Sequence, residues 1–355
     1  MKKYFLFSVL LLAGRLNAQT PKVAKDSLII NFFKRTTGMI AADGGYTIPL
    51  NNGKVLWIFG DSYMNDYDSV SHTVPCLFEA NNSVLLQPKN DWNPKHTVTL
   101  PGSIGTQSYF KNKPDNFIWP LTGFQHGDTV YVICSDLYKY GPGQYDMKNE
   151  GSVWAKILVG SMRVVTYSPL QDFKGIAFGQ GFIKSNGYVY TYGLKQNNIY
   201  VARFPEKSPN APWSFWNGDT WTADVNKAAT IANVPGFSMY MCKVKNKYVL
   251  LSTEFSLNCD AGKKIYAATS SNPAGPFTER KVIYIIDDKK QGHTPFFYGP
   301  LAHPEYINSK NELLIDYSIN GYAPCIPSCN NGRYDPDNYR PRAIWVPLKL
   351  IDPEL

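Results

Sequence analysis

Met39-Ile40-Ala41-Ala42-Asp43-Gly44-Gly45-Tyr46-Thr47-Ile48-Pro49-Leu50 is followed by Asn51-Asn52-Gly53 and then by Lys54-Val55-Leu56-Trp57-Ile58-Phe59-Gly60-Asp61-Ser62-Tyr63. Two short runs rich in β-branched and aromatic residues flank an Asn-Gly pair, the strongest short-range signal for a β-hairpin. Each arm carries an aspartate beside glycine: Asp43 on entry, Asp61 on exit. An antiparallel hairpin brings its open ends together, so the two carboxylates become neighbours.

Two registers are open. A two-residue Asn52-Gly53 turn pairs Asp43 with Ser62, whereas a three-residue loop with Gly53 in the left-handed region pairs Asp43 with Asp61. The apolar pairs Ile48/Trp57 and Tyr46/Phe59 favour the first, and a bulge at Gly44-Gly45 would restore the second. Like charges this close raise one pKa, which is how an acid and a base arise from two carboxylates. The competing role is turn capping, the usual duty of Asp beside Gly.

The hairpin recurs. Turns fall at Asn52-Gly53, His126-Gly127, Asn186-Gly187, Asn246-Lys247 and Asn311-Glu312, each between two apolar strands. Third strands are expected at Asn82–Gln87, Ser161–Tyr167, Asn198–Phe204 and Lys264–Thr269. This pattern predicts an all-β five-bladed β-propeller occupying residues 25–355 as one domain. Arg342–Leu350 is short of strands, and Ser27–Phe33 is expected to complete a blade across the closure. A β-sandwich would not require five matched turns. The proline-rich turns Ser208–Ser214 and Asn272–Thr278 each end on an aromatic and read as architecture of the outer rim.

Composition agrees. The chain has 355 residues, with 24 Tyr, 19 Phe, 8 Trp, 27 Gly and 25 Pro, which suits many strands and turns, and its aromatics suit sugars. The net charge is +8, without a Lys/Arg block, which speaks against nucleic acid. Lys2-Lys3, the apolar run Tyr4–Ala13 and Leu16-Asn17-Ala18 read as a signal peptide, residues 1–18, too short to span a bilayer. Export to the periplasm or outside the cell is therefore expected, with no membrane span and a monomeric state. Of six cysteines, Cys325 and Cys329 are expected to close a local disulfide, Cys134 and Cys242 to be buried, and Cys76 and Cys259 to lie near loops. No His stands at zinc-ligand spacing from the Cys pair.

In a propeller the open ends of these hairpins surround the axial channel. They carry Asp43 and Asp61; Trp119, Ser135 and Asp136; Gln180 and Lys195; Ser238 and Glu254; and His303, Glu305 and Asn320. Convergent polar groups in a concave site are the default candidate for binding or catalysis.

Ala42-Asp43-Gly44, Phe59-Gly60-Asp61, Tyr192–Lys195, the Pro-Ala-Gly-Pro-Phe turn and Ala302-His303-Pro304-Glu305 resemble a secreted propeller family first described as a domain of unknown function. That family includes endo-acting D-arabinanases, glycoside hydrolase family 183. The resemblance spans about Phe32 to Leu350 and implies that Asp43 and Asp61 are catalytic. The chain departs from the family pattern in a long Tyr138–Trp154 loop and in the Cys325–Tyr339 segment, both placed beside the cleft.

Glycoside cleavage needs one protonated acid and one carboxylate acting as base or nucleophile. Asp43 and Asp61 are the best pair; Glu254 is a third candidate, with a rim ion pair as its alternative. Trp119 reads as a sugar platform or as core. Asp136, Gln180, Lys195, His303 and Asn320 are candidate substrate contacts, although a His in the setting of His303 is more often a hydrogen-bonded structural residue than a catalyst. No cofactor is called for, and a lone His without a fixed acid partner does not indicate a channel cation. The expected function is therefore hydrolysis of a furanose-containing, arabinan-like polysaccharide. The alternative is a non-catalytic glycan-binding propeller using the same funnel, and a polysaccharide lyase is a weaker third.

Overall fold

The computed structural model describes residues 22–141 and 146–355; the signal peptide expected over residues 1–18 lies outside them. Five antiparallel sheets follow one another along the chain and form the five blades of a propeller. Blade one comprises Met39–Pro49, Lys54–Met64, Ser83–Pro88 and Val98–Thr99. Blade two comprises Asn116–His126, Thr129–Lys139, Met147–Leu158 and Arg163–Pro169. Blade three starts with Ala177–Ser185, Tyr188–Lys195 and Asn198–Pro205, and adds the outer hairpin Ser214–Trp216 and Trp221–Thr222. Blade four comprises Met239–Val244, Lys247–Thr253, Lys264–Ser270 and Lys281–Ile285. Blade five holds Phe297–Ile307, Glu312–Ile319 and Arg342–Pro347, and takes Ala24–Lys25 as its outer strand. Between blades, aromatic and branched side chains are excluded from water, which drives the sheets to stack about one axis.

Three expectations are corrected. Ser27–Phe33 is not the closing strand: Ser27–Phe32 is a helix, capped by Asp26, whose carboxylate accepts from the Leu28 and Ile29 amides. Ile29, Phe32 and Phe33 recur at helical spacing and bury against Trp57 and Phe59. Closure falls to Ala24–Lys25, opposite Trp345 and Ile344. In blade two the expected Tyr138–Trp154 loop is instead strand from Met147 onward, because Met147–Leu158 pairs with Thr129–Lys139 along its length. That strand was masked in the sequence by its polar first half, which is solvent-exposed. The third-strand expectation at Ser161–Tyr167 therefore moves outward, to the fourth position.

The disulfides also differ. Cys329 bonds Cys76, and Cys325 bonds Cys259, so the expected Cys325–Cys329 link does not form. Chain separation misleads here, because the propeller brings loops of blades one, four and five together. Cys329–Asn330 and Arg333–Tyr334 form a small extra sheet with Val74–Pro75 of blade one. The Cys325–Tyr339 segment is thus fastened on two sides. Cys134 and Cys242 are buried and unpaired.

Candidate active site

The Asp43–Asp61 hairpin adopts the three-residue loop. Pro49 opposes Val55, Ile48 opposes Leu56 and Tyr46 opposes Ile58, with Gly53 at φ +76°. The favoured sequence register is therefore corrected. Its apolar pairs were not decisive, because this register also matches apolar residues. The pairing slips where Gly44 opposes Phe59 and recovers where Ala42 opposes Ser62. Asp43 stands in that bulge, across from Gly60 and Asp61.

Glycine makes the arrangement fit. A Cβ on Gly60 would lie 2.4 Å from Asp43 Oδ1, so the carboxylate occupies the space a side chain would take. A Cβ on Gly45, at φ +124°, would lie 2.4 Å from Asp316 Oδ2. Blade five also holds the bulge through Ser318, whose Oγ accepts from the Gly44 amide at 2.9 Å.

Asp43 and Asp61 line a cavity of about 190 Å³ with Tyr46, Trp119, Leu121, Tyr298 and Ser318. Tyr298 donates its hydroxyl to Asp43 Oδ2 at 2.7 Å, and the nearby Tyr339 hydroxyl also favours a charge on Asp43. Trp119 Nε1 donates to Asp61 Oδ1 at 3.3 Å, and Asn81 Nδ2 approaches the same oxygen at 3.5 Å. Burial pushes Asp43 above the ordinary carboxylate range, opposed by the two tyrosine hydroxyls. Burial, reinforced by the negative charge of Asp43, pushes Asp61 up to about 8. Hydroxyl donors favour the ionised form, so Asp43 ionises first and Asp61 holds its proton near neutral pH.

Of the other expected site residues, only Trp119 reaches this cavity. Asp136 is buried in blade two, where Asn116 and Asn112 donate to it at 2.7 and 2.8 Å and Lys113 stands at 3.6 Å. Gln180 falls in a bulge between Phe178 and Phe182. Lys195 is exposed and donates to the Lys174 carbonyl at 2.8 Å. Glu254 accepts from the Lys263 amide at 2.9 Å and pairs with Lys264 at 3.3 Å, which hold it below its usual range. It makes the rim ion pair that the sequence offered as its alternative. The Asn320 backbone N–H donates to the Phe296 carbonyl at 2.8 Å, and the residue does not line the cavity.

His303 is fully buried, with Nδ1 2.8 Å from Thr47 Oγ1 and Nε2 3.4 Å from Asp316 Oδ2. It has the fixed acid partner that the sequence did not reveal. Burial pushes Asp316 up to about 6, against the pull of His303. A second cavity, of about 500 Å³, opens at the opposite mouth of the channel, lined by Thr47, Gln125, Lys184, Lys243 and Glu305. It brings one carboxylate, not two. Among the described residues, the cluster of metal-ligating atom types at Cys259, Asp260 and Cys325 is closed by the Cys259–Cys325 disulfide.

Tyr298, Tyr339, Asn81 and Ser318 escaped the sequence reading. Tyr298 lies 255 positions from Asp43, so no local spacing could place it. Only the departure of Cys325–Tyr339 from the family pattern hinted at Tyr339.

Fold and site together define a five-bladed propeller with an asymmetric carboxylate pair at one mouth of its axis. The chain belongs to the family described as a domain of unknown function, DUF5005, whose model matches residues 26–347. No curated relative matches it. Among solved structures, a suspected hydrolase of Bacteroides ovatus superposes with a TM-score of 0.73 at 17% identity, covering 91% of this chain and 90% of that one. An α-L-arabinanase variant of Cellvibrio cellulosa follows at 0.45 and 12%, covering 89% and 98%. A GH62 α-L-arabinofuranosidase of Coprinopsis cinerea follows at 0.44 and 10%, covering 88% and 92%. The first likeness is one of fold; the other two are too distant to carry site residues across. Among the described residues, no helix is long and apolar enough to cross a membrane.

Proposed function

We propose that this protein is an exported glycoside hydrolase that cleaves a furanose-containing, arabinan-like polysaccharide, with Asp61 as the acid and Asp43 as the carboxylate. The observation that carries this reading is the inequality of the pair. Two hydroxyls stabilise a charge on Asp43, whereas Asp61 sits beside that charge with weaker donors. Environments that push two carboxylates apart assign the acid and base roles.

Both donors to Asp61 engage Oδ1, which leaves Oδ2 to carry the proton. That proton passes to the glycosidic oxygen as the bond to the anomeric carbon breaks. Asp43, already ionised, supplies negative charge to the oxocarbenium-like centre, as nucleophile or by deprotonating the attacking water. Trp119 offers an indole face beside the cleaved bond while its N–H holds Asp61. The sequence resemblance to endo-D-arabinanases supports the furanose assignment.

The test is release of reducing ends from a panel of D-arabinan, linear L-arabinan and arabinoxylan, wild type against Asp61→Asn. Release by the wild type and its loss in the variant is the expected result. Retention of a glycan with no product from any of them would leave the binding module and sink the enzyme.

A further inference from the structure

Phe237 precedes the first strand of blade four and Phe255 follows its second, so both stand on the face that carries Asp43 and Asp61. They are 41% and 50% exposed, with ring centroids 5.8 Å apart and planes at 83°. Leu257 beside them is 51% exposed. A lone exposed apolar residue needs no explanation, but a paired aromatic patch does.

The patch is built into the site. A Cβ on Gly236 would lie 2.9 Å from the Thr253 carbonyl and 3.2 Å from the Phe255 amide, so the two loops meet backbone to backbone. Each phenylalanine is followed by a serine that docks on blade five. Ser238 Oγ accepts from the Gly299 amide at 2.7 Å, and Ser256 Oγ accepts from the Phe297 amide at 3.3 Å. Between Phe297 and Gly299 stands Tyr298, the donor to Asp43, and Gly299 itself lines the cavity. The aromatic pair is therefore held in fixed relation to the carboxylates.

Resting on the hydrolase reading above, we propose that Phe237 and Phe255 form a sugar-binding platform for a neutral ring of the same polysaccharide, beyond the residues at the cleaved bond. The chemistry of the patch selects that occupant. The acid next to Phe255 in the chain, Glu254, is already paired with Lys264, and two phenyl rings with a leucine offer no hydrogen-bonding group, so the patch itself suits an apolar or C–H face. The C–H face of a sugar ring can cover an aromatic face and leave its hydroxyls in water. Three side chains fall far short of the ~800 Å² per partner that a stable protein complex needs. The edge-to-face rings present one broad face, enough for a single sugar.

The experiment compares wild type, Phe237→Ala/Phe255→Ala and Phe237→Tyr/Phe255→Tyr. The KM for D-arabinan and linear L-arabinan is measured beside that for an aryl arabinofuranoside, which fills the cavity alone. Retardation is read in gels containing each polymer. The alanine pair is expected to raise the polymer KM about tenfold, the scale of one partly lost aromatic face. kcat and the aryl-glycoside KM stay within about twofold, and the tyrosine pair restores polymer binding. Unchanged polymer KM and retardation would overturn the platform. Equal losses on the aryl glycoside would also overturn it, since the pair would then only support Tyr298. So would a wild-type dimer that the alanine pair dissociates. If the wild type cleaves nothing but is retarded, and the alanine pair abolishes retardation, the platform stands and the hydrolase reading falls. A wild type that neither cleaves nor is retarded removes both.

Discussion

Asp43 and Asp316 are both pressed against a glycine of the same hairpin, Gly60 for one and Gly45 for the other. Asp43 opens onto a cavity, beside a second carboxylate, with the Tyr298 hydroxyl donating to it. Asp316 is 1% exposed and faces His303, which is wholly buried. Burial raises both carboxyls. What separates them is the neighbour and the access: Asp43 has a second carboxylate beside it and an opening to solvent, whereas Asp316 faces a buried imidazole at 3.4 Å and lines no cavity described above. A buried, shifted carboxylate is not a site until something can reach it.

The sharpest way to break this contrast is substitution at equal size. Asp43→Asn and Asp61→Asn are each expected to lower turnover at least about a hundredfold, the usual contribution of a positioned acid or base, with melting temperature little changed. Asp316→Asn should keep turnover within about threefold, since it removes no group that meets the substrate. A hundredfold loss in Asp316→Asn would erase the distinction.

The glycines give the next test. Gly60→Ala drives a methyl into Asp43 and should cost more than about tenfold in turnover through misplacement of the carboxylate. Gly45→Ala adds a side chain at φ +124° against Asp316 and should cost about 1–3 kcal/mol of stability. Denaturant melts and product assays on the two variants read the opposed outcomes; equal stability losses would show that both glycines are merely structural.

Proton affinity sharpens the comparison further. Turnover per unit KM should fall as pH rises through about 8, where Asp61 loses its proton. The same raised carboxyl favours folding while protonated, a contribution present below the ordinary carboxylate range and lost as pH rises to about 8. Asp61→Asn cannot lose it, so the variant should gain stability relative to wild type between pH 4 and 9 in thermal melts. A constant difference would mean Asp61 is not raised. The smallest effect is expected from Tyr298→Phe. Removing a donor to ionised Asp43 raises its pKa, so the acid limb of the activity profile should move up by less than about one pH unit.

Much of this was legible because it is local. The five turns announced the blades, and the Asp-Gly positions of one hairpin announced the pair. The rest is carried by contacts between distant segments. The register was decided by Gly53 taking the left-handed region, to which the apolar pattern is blind. Ser27–Phe32 has only two turns in which to show its period, and its Asp26 cap was overlooked. Glu254, Lys195 and Asp136 share the mouth by position along their strands, but nearby lysines, carbonyls and amides hold them elsewhere. Tyr298, Tyr339 and the Cys76–Cys329 bond depend on ring closure, for which no spacing along the chain gives notice.

That closure bears on how the protein is made. Ala24–Lys25 pairs with Arg342–Pro347, so the outer strand of blade five waits for a partner synthesised long after it. Synthesis delivers the Asp43–Asp61 hairpin early and its tyrosines late. Non-local pairing of this kind is slow and leaves strand edges uncovered in the interval. A growing chain therefore carries both carboxylates long before it carries Tyr298, the distant donor that holds one of them.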